Sequence, residues 1–241
     1  MILVHVQTPP WCGWIDLSCY TLRRTCPLSS WEKSPVFWRT SFSCILKGEV
    51  VIGMFSYYGG LLWVDFINTE RLEQGQVEDL IPEFPLFERW LQEAGVDDLP
   101  EPAGVDGRQA LQKAAGLRRQ LRKMAEELTD PAVVPGDWAA FLNGELAAVK
   151  GHWQIHEGKA VFVPDGGWLE RALWPVLQSA MLFWTEGDRA RLKACSNHAC
   201  IKYYYDTSKN GTRRWCRMET CGNRAKARRH YSKRKGASQD E

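Results

Sequence analysis

Four cysteines in the last fifth of the chain stand in two pairs: Cys195 and Cys200 have four residues between them, as do Cys216 and Cys221, and fifteen residues separate the pairs. Two short turns brought face to face can surround one tetrahedral ion, and thiolates are soft ligands that suit zinc. Four thiolates close the coordination shell and leave no position for a reactive water. The spacing therefore predicts one structural Zn2+ ion held by Cys195, Cys200, Cys216 and Cys221. Two disulfides or an iron–sulfur cluster would use the same ligands, the former in an oxidising compartment. His198, inside the first pair, is a fifth candidate that four thiolates make superfluous.

The elements that must position these ligands can be read around them. Residues 201–206 are expected as a strand, 206–211 as a turn and 212–215 as the returning strand. Beyond Cys221 the run GNRAKARRHYSKRK favours a helix. Knuckle, hairpin and a helix whose first turn carries the last ligands is the layout of a treble-clef-like zinc finger. So small a module has little core and depends on its ion to fold.

Charge follows the same division. The net charge is only +2, yet residues 187–241 carry 15 Lys and Arg against 5 Asp and Glu, while residues 54–186 carry 11 against 21. A basic quarter behind an acidic body points to an anionic partner. At 100° per residue, Lys226, Arg229 and Lys233 fall within about 60° of one another, with Ala227 and Tyr231 opposite and expected to pack on the hairpin. Arg224, Arg228 and Arg234 on the helix and Lys209, Arg213 and Arg214 in the hairpin complete the candidate nucleic-acid contacts. Such cations neutralise phosphates and suit a major groove without selecting a base. Two other partners fit parts of the pattern. RNA bases could stack on Tyr203, Tyr204, Tyr205 and Trp215, although tyrosines filling the hairpin core is the favoured reading. A protein adaptor could set its basic face against an acidic partner, the chain's own body included.

The stretches CSNHAC, YYYDTSKNGTRRWC and METCGNRAKARRHYSKRK resemble the CGNR zinc-finger proteins, named for the motif standing here as Cys221-Gly222-Asn223-Arg224. Upstream, GGLLWVDFINTE resembles the start of the ABATE domain that precedes this finger. The resemblance runs from about Gly59 to Lys235 and implies a bacterial transcription regulator linked to stress responses. Within the motif, Gly222 is expected to permit close backbone approach, Asn223 to brace the knuckle, and Arg224 to meet phosphate or the hairpin.

The body reads as mainly α: an acidic helical domain (54–186) with a small β-hairpin, ahead of the finger (187–241). GGLLWVDFINTE is expected as one helix. Others are expected at 85–95, at 106–128, where Leu117, Leu121, Met124 and Leu128 recur at helical spacing, after a cap at Asp137, and at 167–185 across Pro175. HWQIHEGKAVFV is expected as a hairpin, and Glu186-Gly187-Asp188 as the linker to the finger. Asp65, Asn68, Thr69 and Arg71 cluster beside tryptophans and are candidates to line a small-molecule effector pocket; hydrogen-bonded capping is the alternative.

No serine elbow, phosphate loop or paired-histidine helix motif is present, and His152 and His156 lack an obvious third ligand, so no enzyme is expected. One finger buries little DNA, so a homodimer or a partner is expected. Residues 1–53 hold Cys12, Cys19, Cys26 and Cys44 with no sustained period. Lys47-Gly48-Glu49 can be encoded by a purine-rich stretch resembling a ribosome-binding site, which predicts Met54 as the start and 1–53 as a mis-called or unstructured extension. Without a signal pattern or an apolar run of 18 residues, the chain is expected to be cytoplasmic, with no membrane span.

Overall fold

The computed structural model describes residues 55–96, 99–156 and 158–237, with side chains as far as Ser232. Met54 as the start, and the reading of residues 1–53, lie outside the described residues.

The fold is mainly helical with small antiparallel hairpins. Helix α1 (Leu62–Ile67) is buried on every side, and its six residues form a plug at the centre of the core. The expected continuation of this helix through Thr69 and Glu70 does not occur. The chain turns instead into a hairpin, β1 (Glu70–Glu73) and β2 (Gln76–Asp79). Its two-residue turn, Gln74 and Gly75, has both residues at positive φ, which matches the right-handed twist of paired strands.

Helix α2 (Phe84–Glu93) takes Pro85 in its first turn, where no donor is lost. Helix α3 (Gly107–Thr129) starts where the Asp106 carboxylate accepts hydrogen bonds from the amides of Arg108 (3.0 Å) and Gln109 (3.2 Å). Leu117, Leu121 and Met124 are buried along it as the spacing predicts, while Leu128 is partly exposed. Asp137 caps α4 (Trp138–Ala147) in the same way. The hairpin of β3 (Gly151–His156) and β4 (Lys159–Pro164) forms in the expected place. Helix α5 (Trp168–Glu186) runs through Pro175 and packs on α1 and α4. A single tight turn at Arg189–Arg191 leads to β5 (Leu192–Ala194), β6 (Tyr203–Tyr205) and α6 (Asn223–Ala237).

Aromatic side chains dominate the core: Trp63 meets Phe183 at 5.1 Å between ring centres, Phe66 meets Trp90 at 5.2 Å, and Phe87 meets Trp168 at 6.0 Å. Leu192 and Tyr203, from the finger, belong to this same core. The finger is thus built onto the body, and the expected linker is fixed: Gly187 donates to the Phe183 carbonyl and Asp188 accepts from the Ala190 amide.

Strand pairing in the finger also departs from expectation. β6 pairs with β5, upstream, with Leu192 opposite Tyr205 and Ala194 opposite Tyr203, and residues 212–215 form no strand. Alternation along β6 explains this. Tyr203 and Tyr205 face the helical body, Tyr204 faces the cysteines, and the strand must be held from both sides.

The body grips β6 through its main chain. The Asn68 side chain donates to the Tyr203 carbonyl (2.8 Å) and accepts from the Tyr203 amide (3.0 Å), replacing a missing strand. Arg122 donates to the carbonyls of Ile201 (3.0 Å) and Ile67, and pairs with Glu70 at 2.7 Å. The Tyr205 amide donates to the Gly59 carbonyl (2.6 Å). Gly59 itself lies so close to α1 that a Cβ would stand 2.8 Å from the Asp65 carboxylate and 2.9 Å from its backbone nitrogen.

Candidate metal centre

The four cysteines converge. Cys195 follows β5, Cys200 closes the first turn, Cys216 follows the loop after β6, and Cys221 sits on a widened turn (Met218–Gly222) that opens directly into α6. Their sulfurs all lie within 4.8 Å of one another, with Cys216 and Cys221 buried and the other two partly so. A tetrahedron with zinc–sulfur bonds of about 2.3 Å has edges of about 3.8 Å. Cys200 and Cys216 Sγ are 3.8 Å apart and Cys216 and Cys221 Sγ 3.6 Å, far beyond a disulfide bond. The donor set and its dimensions fit one tetrathiolate zinc ion, and the finger holds one structural zinc. His198 is exposed and outside the cluster.

The thiols show why a cation belongs there. Hydrogen bonds from the Cys200 and Cys216 thiols push the Cys195 thiol down, and the same interactions push Cys200 and Cys216 up. One thiolate is easily formed, and its neighbours then resist ionising; a divalent ion removes that conflict.

Backbone hydrogen bonds tie the knuckles together: the Cys195 amide donates to the Lys202 carbonyl (2.9 Å), and the Ser196 amide to the Arg214 carbonyl (3.0 Å). In the CGNR motif, a Cβ on Gly222 would displace the Met218 sulfur and stand 3.2 Å from the Trp215 ring, so glycine lets these two side chains close over the turn. The Asn223 side chain donates to the Glu219 carbonyl (3.1 Å) and braces the turn that carries Cys221. Arg224 is exposed.

The hub of the loop between β6 and Cys216 is Asp206, which is fully buried. Burial alone would raise its pKa, but Lys193 (2.7 Å), the hydroxyl and amide of Ser208 (2.6 and 3.0 Å) and the Arg213 amide (2.9 Å) hold the carboxyl well below the usual carboxylate range. Residue type alone marks it only as a turn aspartate; its burial follows from the loop folding around it.

The candidate nucleic-acid contacts divide. Lys209, Arg214, Arg224, Lys226, Arg228 and Arg229 are exposed. Arg213 is turned inward: its guanidinium lies 4.3 Å from the centre of the Tyr204 ring and donates to the carbonyls of Trp215 (2.9 Å), Tyr58 (3.3 Å) and Cys216. It braces the finger and is not free for phosphate. Lys233 and Arg234 lie on α6, with side chains outside those described. The docking face expected on α6 is not used, since Ala227 is exposed and Tyr231 is 69% exposed. Tyr203 and Tyr204 are buried, which removes them as platforms for bases.

The cluster offered as an effector pocket has a different role. Asp65 accepts from the Gly59 amide (2.7 Å), Asn68 holds Tyr203, and the Thr69 hydroxyl donates to Phe66 and accepts from Arg118. Arg71 is drawn onto the hairpin by Glu78 at 2.7 Å. Each of the four has a partner within the chain, and Asn68 is the one that reaches the finger. Burial pushes the Asp65 carboxyl up to about 7, against the Gly59 hydrogen bond and the fields of Lys202 and Arg213.

Two residues of α3 carry weight that their sequence positions barely signal. Arg118 is only 4% exposed and holds Asp79 and Thr69, while Arg122 spans body and finger. Their sole signal is position, one and five residues after Leu117, on the flank of the apolar stripe. Arginines there reach inward when carboxylates or carbonyls wait for them.

Among the described residues no helix is long and apolar enough to cross a membrane. Residues 60–187 match the family model described as "Putative stress-induced transcription regulator" (ABATE), and residues 191–234 match the CGNR zinc finger. No curated protein matches the chain.

Proposed function

The chain belongs to the ABATE family and ends in a CGNR zinc finger, and from that premise we propose that it regulates transcription by binding duplex DNA through α6. The observation that carries this is the form of α6. It is 15 residues long, about 22 Å at 1.5 Å per residue, and presents Arg224, Lys226, Arg228 and Arg229 to solvent with no carboxylate among residues 223–237. A major groove about 12 Å wide accepts such a helix, and a Cys221 held by zinc two residues before α6 fixes its root. Cations distributed around the helix give affinity for phosphates; base choice comes from a second copy or a partner. The body acts as the receiving part, because Asn68 and Arg122 tie its core to the strand ahead of the metal site.

Fluorescence anisotropy of the zinc-loaded chain on labelled duplex, from 50 to 300 mM salt, tests the proposal. Affinity falls steeply with salt, and the joint substitution Lys226→Gln and Arg229→Gln lowers the log–log slope by about 0.9 for each phosphate no longer neutralised. Binding that ignores salt, or a preference for single-stranded RNA over duplex, refutes it.

A further inference from the structure

A concavity of about 520 Å3 opens where the end of α3 and the Arg189–Arg191 turn meet β5 and the loop ahead of Cys216. Its lining holds four cations and no carboxylate, in a chain with 29 Asp and Glu. Two of the cations are engaged: Lys193 by Asp206 and the Gly211 carbonyl, and Arg213 by three carbonyls. The other two, Arg189 and Arg214, have no side-chain hydrogen bond or ion pair among the described residues.

Each of these free guanidiniums rests instead on an indole ring. Arg189 lies 3.9 Å from the Trp184 ring centre and Arg214 5.4 Å from that of Trp215. Stacking of this kind fixes the plane of the side chain and leaves its N–H groups pointing outward, so little rotamer freedom is lost when an anion arrives. Ser196 and Thr212 add hydroxyls to the same lining. Planar forks and hydroxyl donors with no competing acid suit phosphate oxygens.

The concavity does not end there. A second one, of about 370 Å3, shares Thr212, Arg213 and Arg214 with it and reaches Trp215 and Met218, at the foot of the turn into α6. The cationic track therefore runs from the body to the root of the basic helix.

We infer that this track is a phosphate site, in which Arg189 and Arg214 take backbone phosphates of the same duplex that α6 enters. The inference rests on the DNA reading above and adds an anchor that the helix does not supply. It makes the joint between body and finger, where Arg189 lies over Trp184 of α5, part of the binding surface.

The test is the joint substitution Arg189→Gln and Arg214→Gln in the full zinc-loaded chain, with duplex affinity measured from 50 to 200 mM salt and zinc content and Tm measured alongside. One neutralised phosphate contributes about 0.9 to the slope, so each phosphate set free removes a factor of about 3.5 from the fourfold-salt effect. The double variant is expected to neutralise one or two phosphates fewer while keeping its zinc and its Tm. Duplex binding with an unchanged slope overturns the inference and leaves the DNA reading intact. Failure of the unaltered chain to bind any duplex overturns both. A parallel arm follows the 31P line of pyrophosphate. Broadening that the double variant abolishes, with the duplex slope unchanged, assigns the track to a free phosphorylated molecule and overturns the duplex assignment.

Discussion

Replacing Asn68 with alanine removes the two hydrogen bonds by which the body holds β6, at 2.8 and 3.0 Å, and strands the amide and carbonyl of Tyr203. Tyr203 is buried against the helical core and Asn68 is only 4% exposed, so water has poor access to either group. An unsatisfied buried polar group costs roughly 1–3 kcal/mol, and two together with some local opening give about 3 kcal/mol. For a unit of this size each kcal/mol shifts Tm by roughly 2–4 °C, so the expected fall is about 9 °C. Calorimetry of the zinc-loaded variant measures it, and metal analysis should still find one zinc, because the thiols are untouched. Body and finger should also melt in one transition, since Leu192 and Tyr203 share the body's core. A loss below about 0.5 kcal/mol, or two separate transitions in the unaltered chain, would refute the idea that Asn68 makes them one structure.

Other substitutions test other joints. Cys216→Ser should abolish stoichiometric zinc and also lower the stability of the helical body, read from its tryptophan emission in urea; an unaffected body would contradict the shared core. Asp65, with a folded pKa of about 7 against about 3.9 unfolded, stabilises the fold most below pH 4 and loses that contribution as pH rises to 7, by up to about 1.4 kcal/mol per unit. Asp65→Asn should therefore gain on the unaltered chain between pH 5 and 7 in urea midpoints, whereas a constant difference would remove burial as the cause; zinc release at acid pH affects both chains alike. Gly59→Ala should cost several kcal/mol, since its Cβ would meet backbone and not only a movable side chain. An unchanged Tm would show that α1 can shift.

Local signals in the sequence located much of this fold. Asp106 and Asp137 cap helices because each stands before an apolar run with free amides to satisfy, and the alternation in 151–164 is a hairpin for the same local reason. The cysteine pairs were legible because metal ligation tolerates few spacings. What stayed hidden depends on partners distant in sequence. Glu70–Asp79 has only Leu72 and Val77 to suggest alternation, and its Gln74-Gly75 turn is the one local sign of a hairpin. β6 looks ready to pair forward, yet Asp206 collects its own loop and frees the strand for β5, upstream. Asn68 and Thr69 resemble pocket residues by type. That Asn68 serves as a joint follows only from where Tyr203, more than a hundred positions away, comes to rest.

A finger whose β6 is clasped by another domain's asparagine is not a portable cassette. Cut out at residue 187, it would bare Leu192 and Tyr203, forfeit the Asn68 and Arg122 clasps, and keep its zinc ligands beside a strand pair in which β6 has one open edge. Such a fragment is expected to bind metal yet stick to itself, so grafting the finger onto a foreign host requires carrying α1 and α3 with it.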